Sequence, residues 1–136
     1  MDKGARVPMD ERRPSLKSKI LIVDDESRIR EIYRRLFRAI GSRIFDLIEA
    51  ASAEEAVEIL IRQDIDLILL DINMPEINGC TLFDIIKEYN PHAEIIVASV
   101  YPIDQQKRLI PFAKDYYDKS QGSLKLIEKV TTALVR

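Results

Sequence analysis

Acidic, basic and hydroxyl side chains stand at the ends of four short apolar runs in this sequence. They are Asp24, Asp25, Asp71, Ser99 and Lys119. If the fold brings the three carboxylates together, they repel one another and raise each other's pKa unless a cation neutralises them. A site with few carboxylates and open water positions suits Mg²⁺, which prefers oxygen ligands. These residue types therefore predict a magnesium site.

A carboxylate beside a divalent cation, with a lysine and a hydroxyl group across from it, forms a site for a phosphoryl group. The metal and Lys119 would neutralise the phosphoryl oxygens, Ser99 would donate a hydrogen bond, and one carboxylate would act as the nucleophile. A single Asp at the end of a strand often only caps the next helix or forms a turn. Because polar residues end four separate runs, we interpret the set as a phosphoryl site and not as unrelated caps.

The elements that must position these residues follow from an alternation of apolar runs and helical patterns. Strands are predicted over residues 20–23, 45–50, 65–70 and 94–99, with a short fifth strand that begins at Tyr116. This alternation predicts an α/β fold of the doubly wound (βα)5 flavodoxin-like kind, in which helices cover both faces of a five-stranded parallel sheet. Ligands of such sheets bind beyond the carboxyl ends of the strands, where the strand order reverses. The chemical residues are predicted at that edge.

Caps, glycine and proline mark the boundaries of the helices. Ser52 and Glu55 are spaced as the N-cap and N3 residues of a capping box that opens the second helix. Gly41 is placed to end the first helix. The fourth helix is predicted over residues 102–112, but Pro111 stands in its interior. Proline disrupts a helix interior, so we expect this helix to be short or bent.

The composition bounds the class of protein. The chain has 136 residues and a net charge of −2, which argues against a nucleic-acid binder that relies on bulk positive charge. One Cys and one His argue against a disulfide framework, a zinc site and Ser-His-Asp catalysis. No apolar stretch approaches the roughly 20 residues of a membrane helix, and the beginning of the sequence lacks the apolar segment of a signal peptide. We therefore expect a cytoplasmic protein with a flexible tail over residues 1–18 and one domain over residues 19–136.

The segments that carry the chemical residues resemble the receiver domain of two-component response regulators, in its stand-alone, chemotaxis-Y-like form. The resembling segments are residues 19–26 (KILIVDDE), residues 71–75 (DINMP), Asn78-Gly79, Ser99 and Lys119. An Asp-x-Asn-Met-Pro segment that is followed by Asn-Gly and correctly spaced from an Asp-Asp pair is highly specific. The resemblance extends from about residue 19 to residue 136.

This resemblance implies a phosphoacceptor and a set of metal ligands. Asp71 would accept a phosphoryl group from a phosphohistidine of a sensor histidine kinase or a histidine phosphotransfer protein, in a Mg²⁺-dependent reaction. Asp25, Asp71 and the backbone carbonyl of Asn73 would ligate Mg²⁺, or Mn²⁺ in its place. Asp24 would hold the metal directly or through water.

The resemblance also implies a switch. Ser99 would hydrogen-bond the phosphoryl group and move on activation, Lys119 would pair with the phosphoryl oxygens, and Tyr116 would be the aromatic residue whose rotamer is coupled to Ser99. Such a protein is a phosphoprotein that signals through protein contacts and is not a turnover enzyme. We expect no direct binding of DNA and no membrane contact, while a phosphorylation-linked homodimer stays open and the downstream target stays unknown.

Three positions depart from the family pattern. Ser120 follows Lys119 where the family usually has a proline after a cis bond, so the bond is either trans here or a source of strain. Val100 is β-branched where the family favours a small residue, and we hypothesise that it narrows the access to Asp71. The fourth helix with its Pro111 belongs to the output surface of the family, so we expect atypical partners.

Other readings stay open beside a stand-alone receiver. The chain could be a receiver fragment of a larger regulator or hybrid kinase. A Mg²⁺-dependent aspartyl-phosphate hydrolase has a similar site, but it needs an acid two residues after its nucleophile, where this sequence has Asn73. A flavin-binding module is disfavoured because no phosphate-binding loop rich in Ser, Thr and Gly follows the first strand. Arginines make the outer face of the first helix basic and suggest a surface that steers an acidic partner. They are Arg28, Arg30, Arg34, Arg35 and Arg38.

Overall fold

The structure is a computed structural model that describes residues 17–41, 43–74 and 79–135. Five strands alternate with five α-helices, and a 3-10 turn follows the last strand. The elements are β1 (Ser18–Val23), α1 (Ser27–Gly41), β2 (Phe45–Ala50), α2 (Ala53–Arg62), β3 (Leu67–Asp71), α3 (Gly79–Tyr89), β4 (Glu94–Ser99), α4 (Ile103–Leu109), β5 (Asp115–Asp118), the 3-10 turn Lys119–Gln121 and α5 (Ser123–Leu134). Most of the tail predicted over residues 1–18 lies outside the described residues, and Ser18 already belongs to β1.

The five strands form one parallel sheet in the order β2-β1-β3-β4-β5. The predicted doubly wound (βα)5 fold is therefore confirmed. The chain first moves from β1 outward to β2 and then crosses back over β1 to β3, so the strand order reverses between β1 and β3. The crevice at this reversal is where sheets of this kind bind ligands.

The core lies on both faces of the sheet because successive side chains of a strand point to opposite sides. On one face, Ile20 and Ile22 of β1 pack with Tyr33 and Phe37 of α1 and with Leu126 of α5. On the other face, β1 and β3 contribute apolar side chains to a cluster with residues of α2 and α3. All five residues of β3 are buried, as expected for a central strand that is covered on both faces. Within the described ranges, no helix has both the length and the apolar character needed to cross a membrane.

The strand predicted over residues 65–70 begins later than predicted, because β3 starts at Leu67 and includes Asp71. The backbone N–H of Ile65 donates to Oδ1 of Asn90 at 2.9 Å and not to a neighbouring strand. Ile65 is nevertheless fully buried. Its apolar side chain reflects core packing and not strand pairing, and this misled the prediction.

The helix boundaries follow most of the predicted signals. The hydroxyl of Ser52 accepts a hydrogen bond from the backbone N–H of Glu55 at 3.1 Å, as an N-cap does. The Glu55 carboxylate accepts from the N–H of Ala51 and not from that of Ser52, so the reciprocal bond of the capping box is shifted by one residue. The fourth helix is short, as expected, because α4 ends at Leu109, before Pro111.

Candidate functional site

The carboxyl ends of β1 and β3 bring three carboxylates together. Val23, the last residue of β1, pairs in register with Leu70 of β3, so Asp24 and Asp71 follow side by side. One carboxylate oxygen from each of Asp24, Asp25 and Asp71 lies within 4.8 Å of the others. Asp24 and Asp71 are buried, whereas Asp25 is exposed.

Lys119, which follows the edge strand β5, adds a positive charge to this cluster. Its Nζ lies 3.0 Å from Oδ2 of Asp24 and 3.9 Å from Oδ2 of Asp71. The register brings it there, because Asp118 of β5 pairs with Ser99 of β4 and Lys119 is the next residue. One positive charge therefore faces two buried carboxylates.

The electrostatics of Asp71 reflect an excess of negative charge in a buried place. The pKa of Asp71 is raised from an ordinary value of 3.8 to about 6, mainly by burial and also by the negative charges of Asp24 and Asp25. Lys119 and a hydrogen bond from the backbone N–H of Asn73, at 3.1 Å, oppose this rise. Because Lys119 compensates only part of the negative charge of the three carboxylates, a further positive charge would stabilise the site.

The donor set fits a hard divalent cation. Three carboxylates, each with an oxygen within 4.8 Å of the others, offer the ligands that Mg²⁺ prefers, and exposed Asp25 leaves one side open to water. Asn73, whose carbonyl was predicted as a ligand, lies in the loop after β3 and is exposed. Two further positions of the resembling motif, Pro75 and Asn78, lie outside the described residues.

Ser99 and Tyr116 are both buried near this edge. Ser99 ends β4, and its Oγ accepts a hydrogen bond from the backbone N–H of Tyr101 at 3.1 Å. Ala98 pairs in register with Asp71, so Ser99 lies one residue beyond the level of Asp71 in the sheet. The hydroxyl of Tyr116 donates to the carbonyl of Ile110 and therefore holds the ring inward.

The segment after Lys119 differs from the usual family geometry. The bond between Lys119 and Ser120 is trans, since the described residues contain no cis peptide. Asp118 caps the 3-10 turn through Oδ1, which accepts from the backbone N–H of Ser120 at 2.9 Å, while Oε1 of Gln121 accepts from the N–H of Asp118 at 3.1 Å. The capping box thus shapes this loop without a proline.

Two polar residues contribute to this end of the fold without having been predicted to do so. Gln106 of α4 is fully buried, and its Nε2 donates to the carbonyls of Tyr101 and Tyr117 at 2.7 and 3.0 Å. Arg30, interpreted from the sequence as one of the outward-facing arginines of the first helix, instead donates to the carbonyl of Asp24 at 2.7 Å. The helical spacing of Arg30 was visible in the sequence, but its partner on another element was not.

Comparisons with known proteins agree with this geometry. Residues 20–131 match the response regulator receiver domain family. The transcriptional regulatory protein YvrH of Bacillus subtilis (strain 168) is 35% identical over 120 residues, which cover 86% of this chain and 49% of that protein. The chemotaxis protein CheY of Treponema pallidum (strain Nichols) is 25% identical over 133 residues, which cover 95% of this chain and 91% of that protein.

A solved structure gives the same picture of the fold. The response regulator TrrA of Thermotoga maritima, crystallised in complex with Mg²⁺-BeF, is 32% identical with a TM-score of 0.76, and the match covers 86% of this chain and 99% of that one. The first curated relatives are longer proteins, of which this chain spans about half or less. The chain belongs to the response regulator receiver domain family.

Proposed function

We propose that this receiver domain is a phosphorylation switch whose acceptor is Asp71. The observation that carries the proposal is the position of its buried carboxylate, which has an oxygen within 4.8 Å of an oxygen of each of two further aspartates and lies 3.9 Å from Nζ of Lys119. A carboxylate oxygen of Asp71 would attack the phosphorus of a phosphohistidine. The new bond is an acyl phosphate, the P–N bond breaks, and the electron pair of that bond leaves with the histidine nitrogen.

Each remaining side chain has a task that follows from its contacts. Lys119 would pair with a phosphoryl oxygen, because it already faces the acceptor oxygen. Ser99 can donate its hydroxyl proton to the phosphoryl group while its Oγ still accepts from Tyr101, since a hydroxyl is both donor and acceptor. Tyr116, buried beside α4, would change its rotamer when Ser99 moves.

The metal-binding part of the proposal rests on the carboxylates. Asp24, Asp25 and Asp71, with the backbone carbonyl of Asn73, would hold Mg²⁺ or Mn²⁺. When bound, the ion supplies positive charge that neutralises the phosphoryl oxygens. The role of the protein is to keep the carboxylates close enough to share one cation.

The wider biological role is proposed from the family and from the composition. A sensor histidine kinase or a histidine phosphotransfer protein would supply the phosphoryl group, and the signal would leave through protein contacts. We propose a cytoplasmic domain over residues 19–136 that binds neither DNA nor membranes and that signals without turnover of a substrate.

The ion pairs of the arginines in α1 reduce the steering of an acidic partner that we propose for this helix. Its arginines were expected to steer an acidic partner, but Arg30 and Arg34 pair with Glu49, and Arg35 pairs with Glu31. Paired charges contribute less to the long-range field. We therefore expect the transfer rate from a phosphohistidine donor to fall with added salt only moderately. A rate that does not depend on salt would remove the steering role.

Intact mass after incubation with Mg²⁺ and a small phosphodonor tests the acceptor. The wild type should gain one phosphoryl group, and the gain should disappear in Asp71→Asn and in excess chelator. Asp46→Asn, which removes an exposed aspartate of β2, is the matched control and should label normally. Labelling that persists in Asp71→Asn would refute the acceptor assignment, and rapid multiple turnover of phosphomonoesters would indicate a hydrolase.

A further inference from the structure

Arg30 connects the edge of the sheet to the backbone of the acidic cluster. Its Nη1 donates to the carbonyl oxygen of Asp24 at 2.7 Å, and its Nε donates to Oε1 of Glu49 on β2 at 3.1 Å. The side chains of Arg30 and Glu49 are only 15% and 25% exposed. A guanidinium group is planar and presents its donors in a fixed fork, so two simultaneous bonds hold it in one orientation.

Asp24 is bound at every polar group that it has. Its N–H donates to the carbonyl of Ala50 at 3.1 Å, its Oδ1 accepts from the N–H of Glu26 at 2.9 Å, and its Oδ2 accepts from Lys119 at 3.0 Å. Arg30 provides the contact to the fourth group, the carbonyl. The carbonyl is buried with the rest of the residue, so the loss of this donor would leave a costly unpaired group.

The carbonyl of Asp24 also controls the direction of the next residue. The carbonyl of Asp24 and the N–H of Asp25 belong to one planar peptide unit, which rotates as a whole. A bond that fixes the carbonyl therefore fixes the start of Asp25. Asp25 is the exposed member of the carboxylate cluster, so it depends most on its own backbone for its position.

We propose that Arg30, held in place by Glu49, is a positioning residue of the divalent-cation site. It fixes the peptide between Asp24 and Asp25, and through that peptide it keeps both carboxylates in the arrangement that a cation needs. This inference rests on the proposed function, because it concerns the same cation site. Groups that orient metal ligands typically change metal affinity 10- to 100-fold when they are removed.

The charge of Arg30 alone would have the opposite effect on cation affinity. The direction of the change in Mg²⁺ affinity therefore tests the proposal. Arg30 carries a positive charge near a site for a cation, so its removal would strengthen cation binding if charge alone mattered. Arg30→Gln removes both the charge and the fork. Arg30→Lys keeps the charge, but a single ammonium group cannot reproduce the planar fork of the guanidinium.

The experiment is a calorimetric titration of the full chain with MgCl₂, with thermal unfolding of each variant as a check of folding. We expect about tenfold weaker Mg²⁺ binding in Arg30→Gln and in Arg30→Lys. Glu49→Gln should weaken binding less, because Arg30 keeps its bond to Asp24. Arg34→Gln is the matched control, since Arg34 also pairs with Glu49 from α1, and it should bind Mg²⁺ as the wild type does.

The outcomes separate this inference from the proposed function. Unchanged or tighter binding in both Arg30 variants would overturn the positioning role while the cation site stands. Equal weakening in Arg34→Gln would also overturn it, because the charge balance of Glu49 would then explain the loss. A wild type that does not bind Mg²⁺ would refute the cation site itself and this inference with it.

Discussion

Lys119 and Asp24 form an ion pair across the carboxyl edge of the sheet, with 3.0 Å between Nζ and Oδ2, although 95 residues separate them in the chain. Asp24 is buried, and Lys119 is nearly so. Removal of one partner from a buried pair leaves the other charge without compensation, which is far more costly than the loss of a surface pair.

Lys119→Met should therefore destabilise the metal-free fold. We expect the free energy of unfolding to fall by about 3 kcal/mol in chelator, measured by urea denaturation at pH 7.5. Lys125→Met provides the control, because Lys125 forms an exposed pair with Glu128 at 2.9 Å. Its loss should change the stability by less than about 0.5 kcal/mol. If both variants lost the same unfolding free energy, the buried pair would not be more important for stability than the exposed pair.

Asp71→Asn should stabilise the metal-free protein at neutral pH. Burial raises the pKa of Asp71 to about 6, so the folded state holds this proton more tightly than the unfolded state does. The stabilising contribution of the protonated form is complete below the ordinary pKa of 3.8 and is lost as the pH rises through 6. At pH 8 we expect the variant to be more stable by about 2–3 kcal/mol.

Urea denaturation of both proteins in chelator between pH 4 and pH 8 measures this difference. The stability difference should shrink as the pH falls and should be close to zero near pH 4, where the wild-type carboxyl group is largely protonated. A difference that stays constant over this range would show that Asp71 does not titrate as described. Addition of Mg²⁺ at pH 8 should stabilise the wild type more than Asp71→Asn.

Gln106→Met should loosen the contact between α4 and the end of the sheet. The variant keeps the length of the side chain but leaves the carbonyls of Tyr101 and Tyr117 without the Nε2 donor. Oε1 of Gln106 is buried without a hydrogen-bond partner among the described residues. Because the variant removes this unpaired oxygen, part of the destabilisation is offset. The net loss in unfolding free energy should be about 2 kcal/mol. Gln105→Met, at the adjacent and less buried glutamine, should have a smaller effect in the same denaturation assay.

Val100→Ala should speed phosphorylation by a small donor. Val100 directly follows Ser99 and is 66% exposed, so its branched side chain stands in solvent beside the site. A smaller side chain would widen the access to Asp71. The initial rate of mass gain with a small phosphodonor measures the effect, and Val135→Ala, at a valine that is 76% exposed on the far end of the chain, is the control. The hypothesis fails if Val100→Ala and the wild type label at the same rate.

The sequence was sufficient for the parts of the site that lie at strand ends. Asp24 and Asp71 follow apolar runs, and parallel strands align their carboxyl ends, so the meeting of these residues followed from one rule. Arg30 and Gln106 could not be identified in the same way. Each is a polar residue in a helix, and helical spacing shows which face a residue occupies but not which carbonyl of another element it reaches.

Asn90 shows a similar limit. Asn90 stands directly before Pro91, a pair that predicts the end of a helix, and α3 does end at Tyr89. The side chain of Asn90, however, is fully buried and connects α2 to the segment before β3. Oδ1 accepts from the N–H of Ile65, and Nδ2 donates to the carbonyl of Leu60, both at 2.9 Å. An asparagine before a proline looks the same in the sequence whether its side chain is exposed in a turn or buried with hydrogen bonds to other segments.

The separation of 95 residues between Lys119 and Asp24 also has a consequence during translation. A growing polypeptide that has emerged only as far as β4 already contains Asp24 and Asp71, but it has neither β5 nor the lysine that faces them. Three carboxylates would then repel one another with no internal counter-charge. The acidic cluster therefore gains its internal counter-charge only after nearly the whole domain has left the ribosome.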